Sequence, residues 1–330
     1  MRSARTTRSA TRAARVTEAV ATGPLGALSH DELGVIFDGL ANPLQPDVAV
    51  ALSSVCLGLR TPLEAPLVLL EKEHSKARAL CKKTDMTCEE LRTVRTVGRV
   101  EWTSKGLNVE DLTTLGTLLD KWLPQIRDLN LRFCDNGDEC IQGLCEGLGR
   151  SSSSVSIVRL HLHSSGIGSA GAGALAATFL RGALPMLEYL DLSFNPLGNQ
   201  GVAALAAPLR RLLRLTKLIL VKCEIGDDGI KSLFGGVDKE DFKALRMFLL
   251  GWNRITDTGC AFLVTIIFNR LTSLTKHGRI NPSNVVEFIE MLIGGNPASK
   301  ESQIAVANAV AEKFQSFHAS NQQSSEGGEN

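Results

Sequence analysis

One spacing constrains this chain more than anything else in it. A pattern of apolar positions, L-x-x-L-x-L-x-x-N/C-x-L, starts at Val97 and returns at Ile126, Ile157, Leu187, Leu215, Leu245 and Phe288. Six of these starts lie 28–31 residues apart, and the last follows after 43. The clearest copy reads LEYLDLSFNPL. Downstream of the pattern, glycine recurs at Gly171, Gly201, Gly229 and Gly259, and leucine four residues later at Leu175, Leu205, Leu233 and Leu263. The first two copies keep the leucines, Leu115 and Leu144, and replace the glycine by Asp111 and Cys140.

The two halves of the unit have different periods. Alternating apolar residues describe a strand, and the four-residue spacing that follows describes a helix. A unit this short cannot bury its own apolar face, so neighbours must stack into one continuous core. A helix returns the chain after each strand, so all strands run parallel. The expected fold class is therefore α/β, a solenoid of parallel strands backed by helices. Asn195, Asn253 and Asn296 share one column with Cys134 and Cys223. The asparagines there should bond backbone groups of neighbouring turns, with cysteine as the smaller substitute.

Composition agrees with this and excludes several alternatives. Aromatics supply 5% of the chain, so the core is aliphatic. With 36 basic and 35 acidic residues, no global field draws the chain to nucleic acid or to an acidic membrane. No apolar run approaches the ~20 residues of a membrane helix. The eight cysteines include no C-x-x-C pair, which points to reduced thiols and no metal site. Nucleotide-loop, G-x-S-x-G and H-E-x-x-H motifs do not occur, so neither catalysis nor a cofactor is expected. Residues 1–27 carry Arg2, Arg5, Arg8, Arg12 and Arg15. Two readings stand open for them: a disordered basic tail, or an organelle-targeting segment. Otherwise the cytoplasm or nucleus is expected. Residues 319–330 read as a disordered polar tail.

The units resemble those of ribonuclease-inhibitor-like leucine-rich-repeat proteins. The resemblance covers 97–318, as about seven units with a C-terminal helix. It implies a strand-lined concave face that binds a protein partner, in a monomer. The candidates on or beside that face are Arg132, Phe133, Arg159, His161, His163, Tyr189, Asp191, Phe194, Lys217 and Trp252. Along the array the face changes from charged to apolar. In-register stacking would set His161 beside Asp191 and His163 beside Ser193, mostly as polar contacts. Residues 271–293 leave two readings, a helix or a long connection into a final strand.

Residues 28–63 show helical spacing in Leu33, Ile36, Phe37 and Leu40, then in Val48, Leu52, Val55 and Leu59. Asn42-Pro43 and Gln45-Pro46 separate the two stretches. This segment resembles an F-box, a helical module that docks cullin-ligase adaptors. The resemblance implies docking through Leu33, Ile36, Phe37, Leu40, Val55 and Leu59. Residues 64–96 read as a helical bridge capping the first repeat strand, with a capping box formed by Thr87 and Glu90 and a half-buried His74. Three functions follow as expectations. The chain is the substrate-recognition subunit of a cullin-type ubiquitin ligase, a scaffold or inhibitor, or, less favoured, a GTPase activator using Arg99 or Arg132.

Overall fold

A computed structural model of the chain describes residues 28–54, 57–94, 98–123, 125–133, 137–149, 155–236, 241–242, 244–269, 293–309 and 311–312. Among these, the side chains of residues 30, 57–62 and 267–269 are not described. The chain forms two compact units that divide after Thr93.

In the second unit the expected strand occupies the same three positions of each copy: β1 Arg99–Glu101, β2 Asp128–Asn130, β3 Arg159–His161, β4 Tyr189–Asp191, β5 Lys217–Ile219 and β6 Met247–Leu249. They form one parallel sheet in sequence order. Its register is that of the repeat, with Leu129 opposite Leu160, Leu160 opposite Leu190, and Leu190 opposite Leu218. The returning helices are α5 Val109–Lys121, α6 Gly137–Gly147, α7 Ser169–Leu180, α8 Gly198–Arg210, α9 Asp227–Phe234 and α10 Asp257–Asn269. (Labels α1–α4 belong to the first unit.) Strand leucines such as Leu160, Leu190 and Leu218 and helix leucines such as Leu115, Leu175 and Leu205 are all buried in one core. The architecture is the expected solenoid of alternating strand and helix.

The asparagine column works as the spacing implies. Asn253 Nδ2 donates to the Leu220 and Leu250 carbonyls at 2.7 and 2.8 Å, and its Oδ1 accepts from the Cys223 and Ile225 amides. Asn195 repeats this two turns earlier, with the Leu162 and Leu192 carbonyls and the Ser165 and Ile167 amides. Cys223 performs only the donating half, from Sγ to the Leu192 carbonyl at 3.2 Å. Burial pushes its thiol up to about 12, which leaves it protonated and inert. Cys134 lies outside the described residues. Asn296 bonds the Leu250 and Ile293 carbonyls and accepts from the Ile255 amide, so it holds the same place in the last copy. The rest of the 271–293 segment, with its two readings, lies outside the described residues apart from buried Ile293.

Three of the four recurring glycines, Gly171, Gly229 and Gly259, have a cause that the sequence pattern did not expose. At these copies a side chain in the first turn of one helix caps the next. Asp138 Oδ1 accepts from the Gly168 amide, Asn199 Oδ1 from Gly226 and Gly229, Asp227 from Thr256, and Asp257 from Ser299. That polar group needs the space a Cβ would fill. A Cβ on Gly171 would lie 2.6 Å from Asp138 Oδ1, and one on Gly229 would lie 2.7 Å from Asn199 Oδ1. In the first copy α5 is capped by its own box, between Asn108 and Asp111. Val109 holds the capping column there and offers no such group, and the position facing it in the next copy is Cys140 instead of glycine.

The first unit contains α1 His30–Leu40, α2 Asp47–Ser54, α3 Leu57–Lys83 and α4 Cys88–Thr93. Ser29 and Glu32 form a capping box at α1, and Thr87 and Glu90 the expected one at α4. Leu33, Phe37, Ala49, Leu63 and Leu70 form its core, with Leu28, Leu40, Leu52 and Leu67 packed against it. The division expected between residues 63 and 64 falls inside α3, a single continuous helix. The expected phase of α2 is off by one residue. Val48 is exposed and Ala49 is fully buried, because a small side chain lets the helices approach closely. His74 is half-buried and its Nδ1 lies 2.6 Å from the Pro43 carbonyl oxygen.

Candidate protein-binding face

The residues between the strand leucines lie on the open side of the sheet, yet many of them are not open to water. Asp128, Asn130, Asp191, Ser193, Ile219 and Leu249 are buried, since longer side chains of adjacent strands cover them. At the β1–β3 end the charges engage one another. Asp128 is 2.9 Å from Arg159 Nε, 3.6 Å from Arg99 Nε and 3.3 Å from His161 Nε2. Arg99 also pairs with Glu101. Asp191 Oδ1 accepts from the Ser193 amide at 3.0 Å.

His161 is opposite Asp191 in the register, as expected, but its imidazole reaches the other way, to Asp128. Burial holds His161 and His163 below the usual histidine range, and burial raises Tyr189. Ser193 Oγ is buried and makes no hydrogen bond, so no Ser–His pair is assembled. Among the described residues no group of three or more His, Cys, Asp and Glu could hold a metal ion.

From β3 onward the face becomes aromatic. The His161 ring lies 4.6 Å from Tyr189, whose other neighbour is Lys217 Nζ at 5.3 Å from the ring centre. On the rim Phe133 meets His163 at 5.2 Å, His163 meets Phe194 at 4.7 Å, and Lys222 Nζ sits 5.1 Å from the Phe194 ring. Trp252 rests against Gly295, where a Cβ would come within 2.5 Å of the indole. Packing on a neighbouring turn and exposure therefore coexist: Phe133, Phe194 and Trp252 are 47%, 44% and 67% exposed.

The rim residues share an unusual backbone. Ser104, Phe133, Ser164, Phe194, Lys222 and Trp252 all have φ between 52° and 58°. The turn is required because each amide bonds the carbonyl of the next copy, as Phe194 does to Val221 and Trp252 to Gly294. For a residue with a Cβ this conformation costs roughly 1–2 kcal/mol. Glycine or asparagine would relieve it. Large exposed rings in such a column run against folding stability, which directs attention to function.

Of the ten candidates, Arg159, His161, His163, Tyr189 and Lys217 meet Phe133 and Phe194 in this one surface. Trp252 stands further along the same rim, and Arg132 is half-buried on β2's continuation. Asp191 is a buried residue at the end of β4, and its carboxylate accepts from the Ser193 amide. Lys222 was missed; it stands in the column of Phe133, Phe194 and Trp252, so the register alone could have found it. Among the adaptor-docking candidates, Leu33 and Phe37 are core residues and Ile36 and Leu40 are half-buried. Val55 and the Leu59 side chain lie outside the described residues.

The fold and the face together define a leucine-rich-repeat solenoid, a class of protein–protein interaction module. Comparison with known proteins agrees. A Leucine Rich repeat family model matches residues 183–206 and 215–234. The chain is also similar to NACHT, LRR and PYD domains-containing protein 12 of Mus musculus, 26% identical over 242 residues. The match covers 72% of this chain and 19% of that protein, so the chain spans about a fifth of the relative's length. No helix among the described residues is long and apolar enough to cross a membrane.

Proposed function

We propose that this chain is a non-enzymatic recognition module that holds a protein partner on the concave face of its repeat array. The observation that carries this is the rim column, where Phe133, Phe194 and Trp252 stay exposed in a backbone conformation that disfavours them. Binding energy concentrates in such aromatic anchors flanked by cations. The test is capture of partners by the full chain with Phe194→Ala and Trp252→Ala as controls. Partners retained by both variants would remove the concave face from the proposal.

Within that class, the substrate-recognition subunit of a cullin-type ubiquitin ligase is the reading we favour. Its support is the first unit, a small helical body that leaves Val35, Val48, Val50, Val68 and Leu69 exposed around its own core. Phe37 cannot report on docking, because it is 2% exposed and an acidic replacement would unfold the unit. Val68→Asp with Leu69→Asp is the cleaner variant. Pulldown of a cullin-ligase adaptor by the chain, weakened by that pair, supports the reading. Failure of the unaltered chain to bind any adaptor leaves a scaffold or inhibitor. A GTPase activator through Arg99 is less supported, since that side chain is engaged by Glu101 and Asp128.

A further inference from the structure

The chemistry of the face narrows its partner, given that the concave face is the binding surface. Its carboxylates are already engaged: Asp128 by Arg159, Arg99 and His161, Glu101 by Arg99, and Asp191 by the Ser193 amide. Its lysines are not. Lys217 and Lys222 lie over the Tyr189 and Phe194 rings, and among the described residues neither has a carboxylate in ion-pair reach. Arg159 keeps half of its side chain exposed beyond Asp128. Among the described residues of the face, the charge still available to an incoming molecule is therefore positive and lies along β3–β5. Beyond it the surface turns apolar, through half-buried Val221 and Met247 to exposed Trp252.

We propose that the partner presents an extended acidic segment with an adjoining apolar anchor. Its carboxylates lie over Arg159, Lys217 and Lys222, and its anchor lies over Val221, Met247 and Trp252. The two ends are ordered by the array, acidic toward β3 and apolar toward β6. From β3 to β6 is three strand steps, about 15 Å, which roughly five extended residues span. A basic partner would meet cations with no free acid to receive it among the described residues of the face. A nucleic acid would supply negative charge but no match for the aliphatic end, and its affinity rests on many more phosphate contacts than three cations provide.

The test starts without assuming the ligand. A random peptide library displayed on phage is selected on the full chain, and the strongest peptides are synthesised and titrated against it. Expected are peptides enriched in Asp and Glu beside an aliphatic or aromatic cluster. Their affinity should fall about tenfold or more with Lys217→Glu plus Lys222→Glu, fall with added salt, and recover in that variant when the peptide's acids become lysines. Trp252→Ala should weaken the same peptides independently of salt. Circular dichroism checks that each variant is folded. Peptides that lose binding with Trp252→Ala but carry no acidic enrichment and ignore the lysine change overturn the acidic segment and leave the concave face standing. Peptides indifferent to both variants overturn the concave face itself. A library yielding no binder, or an oligothymidylate that displaces the peptides with comparable affinity, also overturns the peptide proposal.

Discussion

The inner column through Ser165, Asn195, Cys223, Asn253 and Asn296 and the rim column one residue earlier are adjacent in sequence and opposite in environment. Asn253 is buried and bonds five backbone groups, whereas Trp252 beside it is two-thirds exposed in a left-handed backbone. The inner column closes the hydrogen bonds of the array. The rim column carries strain and offers rings to solvent. Asn296 follows Gly295, whose φ of 73° needs no relief and whose bare Cα leaves room for the Trp252 indole. The structural column and the column to which we assign binding are thus separated by a single residue.

That separation can be broken by substitution, and the largest effect should come from the inner column. Asn253→Ala orphans the Cys223 and Ile225 amides and removes the donor to the Leu220 and Leu250 carbonyls. It should cost about 3–5 kcal/mol in chemical denaturation, since buried unsatisfied groups cost roughly 1–3 kcal/mol each. Next comes Gly229→Ala, which drives a Cβ against Asn199 Oδ1 and the Ile225 side chain. It should destabilise by about 1–3 kcal/mol and uncap α9. On the rim the sign of the contrast reverses. Phe194→Asn relieves the left-handed strain and loses the contacts with His163 and Lys222. Stability should change by less than about 1 kcal/mol while partner affinity falls at least about tenfold. A large loss of stability there would erase the distinction between the columns.

The smallest expected effect is on pH dependence. Burial holds His161 and His163 below 6.5, so between their folded values and 6.5 the unfolded chain binds more protons. Stability should be full above about pH 6.5 and decline as pH falls through that window. Thermal unfolding across pH 5–7 reads this, and replacing both histidines by glutamine should flatten it. An unchanged slope would mean that groups other than these histidines carry the pH dependence.

Much of the fold is legible in the chain because repetition averages out local ambiguity. One weak strand signal over Lys217–Ile219 means little, but the same three positions in six copies fix the strand, its parallel partner and its register. The rim candidates Phe133, Phe194 and Trp252 follow from that register. The first unit is less legible because it has no repeat. The phase of α2 turned on Ala49 packing closely, which periodicity of large apolar residues does not weigh. The glycine column was visible without its cause, since the cap from Asp138 to Gly168 joins residues 30 apart.

The sequence by itself determined the solenoid, its parallel register, the inward leucines and the asparagine column, because each of these depends only on spacing along the chain. The tertiary structure decided which outward residues remain available. Asp128 and Asp191 face the open side of the sheet by register, yet are buried, while His161 turns to Asp128 and not to its register partner Asp191. Side-chain reach across strands sets those choices, and it is fixed only when the turns are stacked. The cations left over Tyr189 and Phe194 are the outcome of that stacking, and they give the face its character.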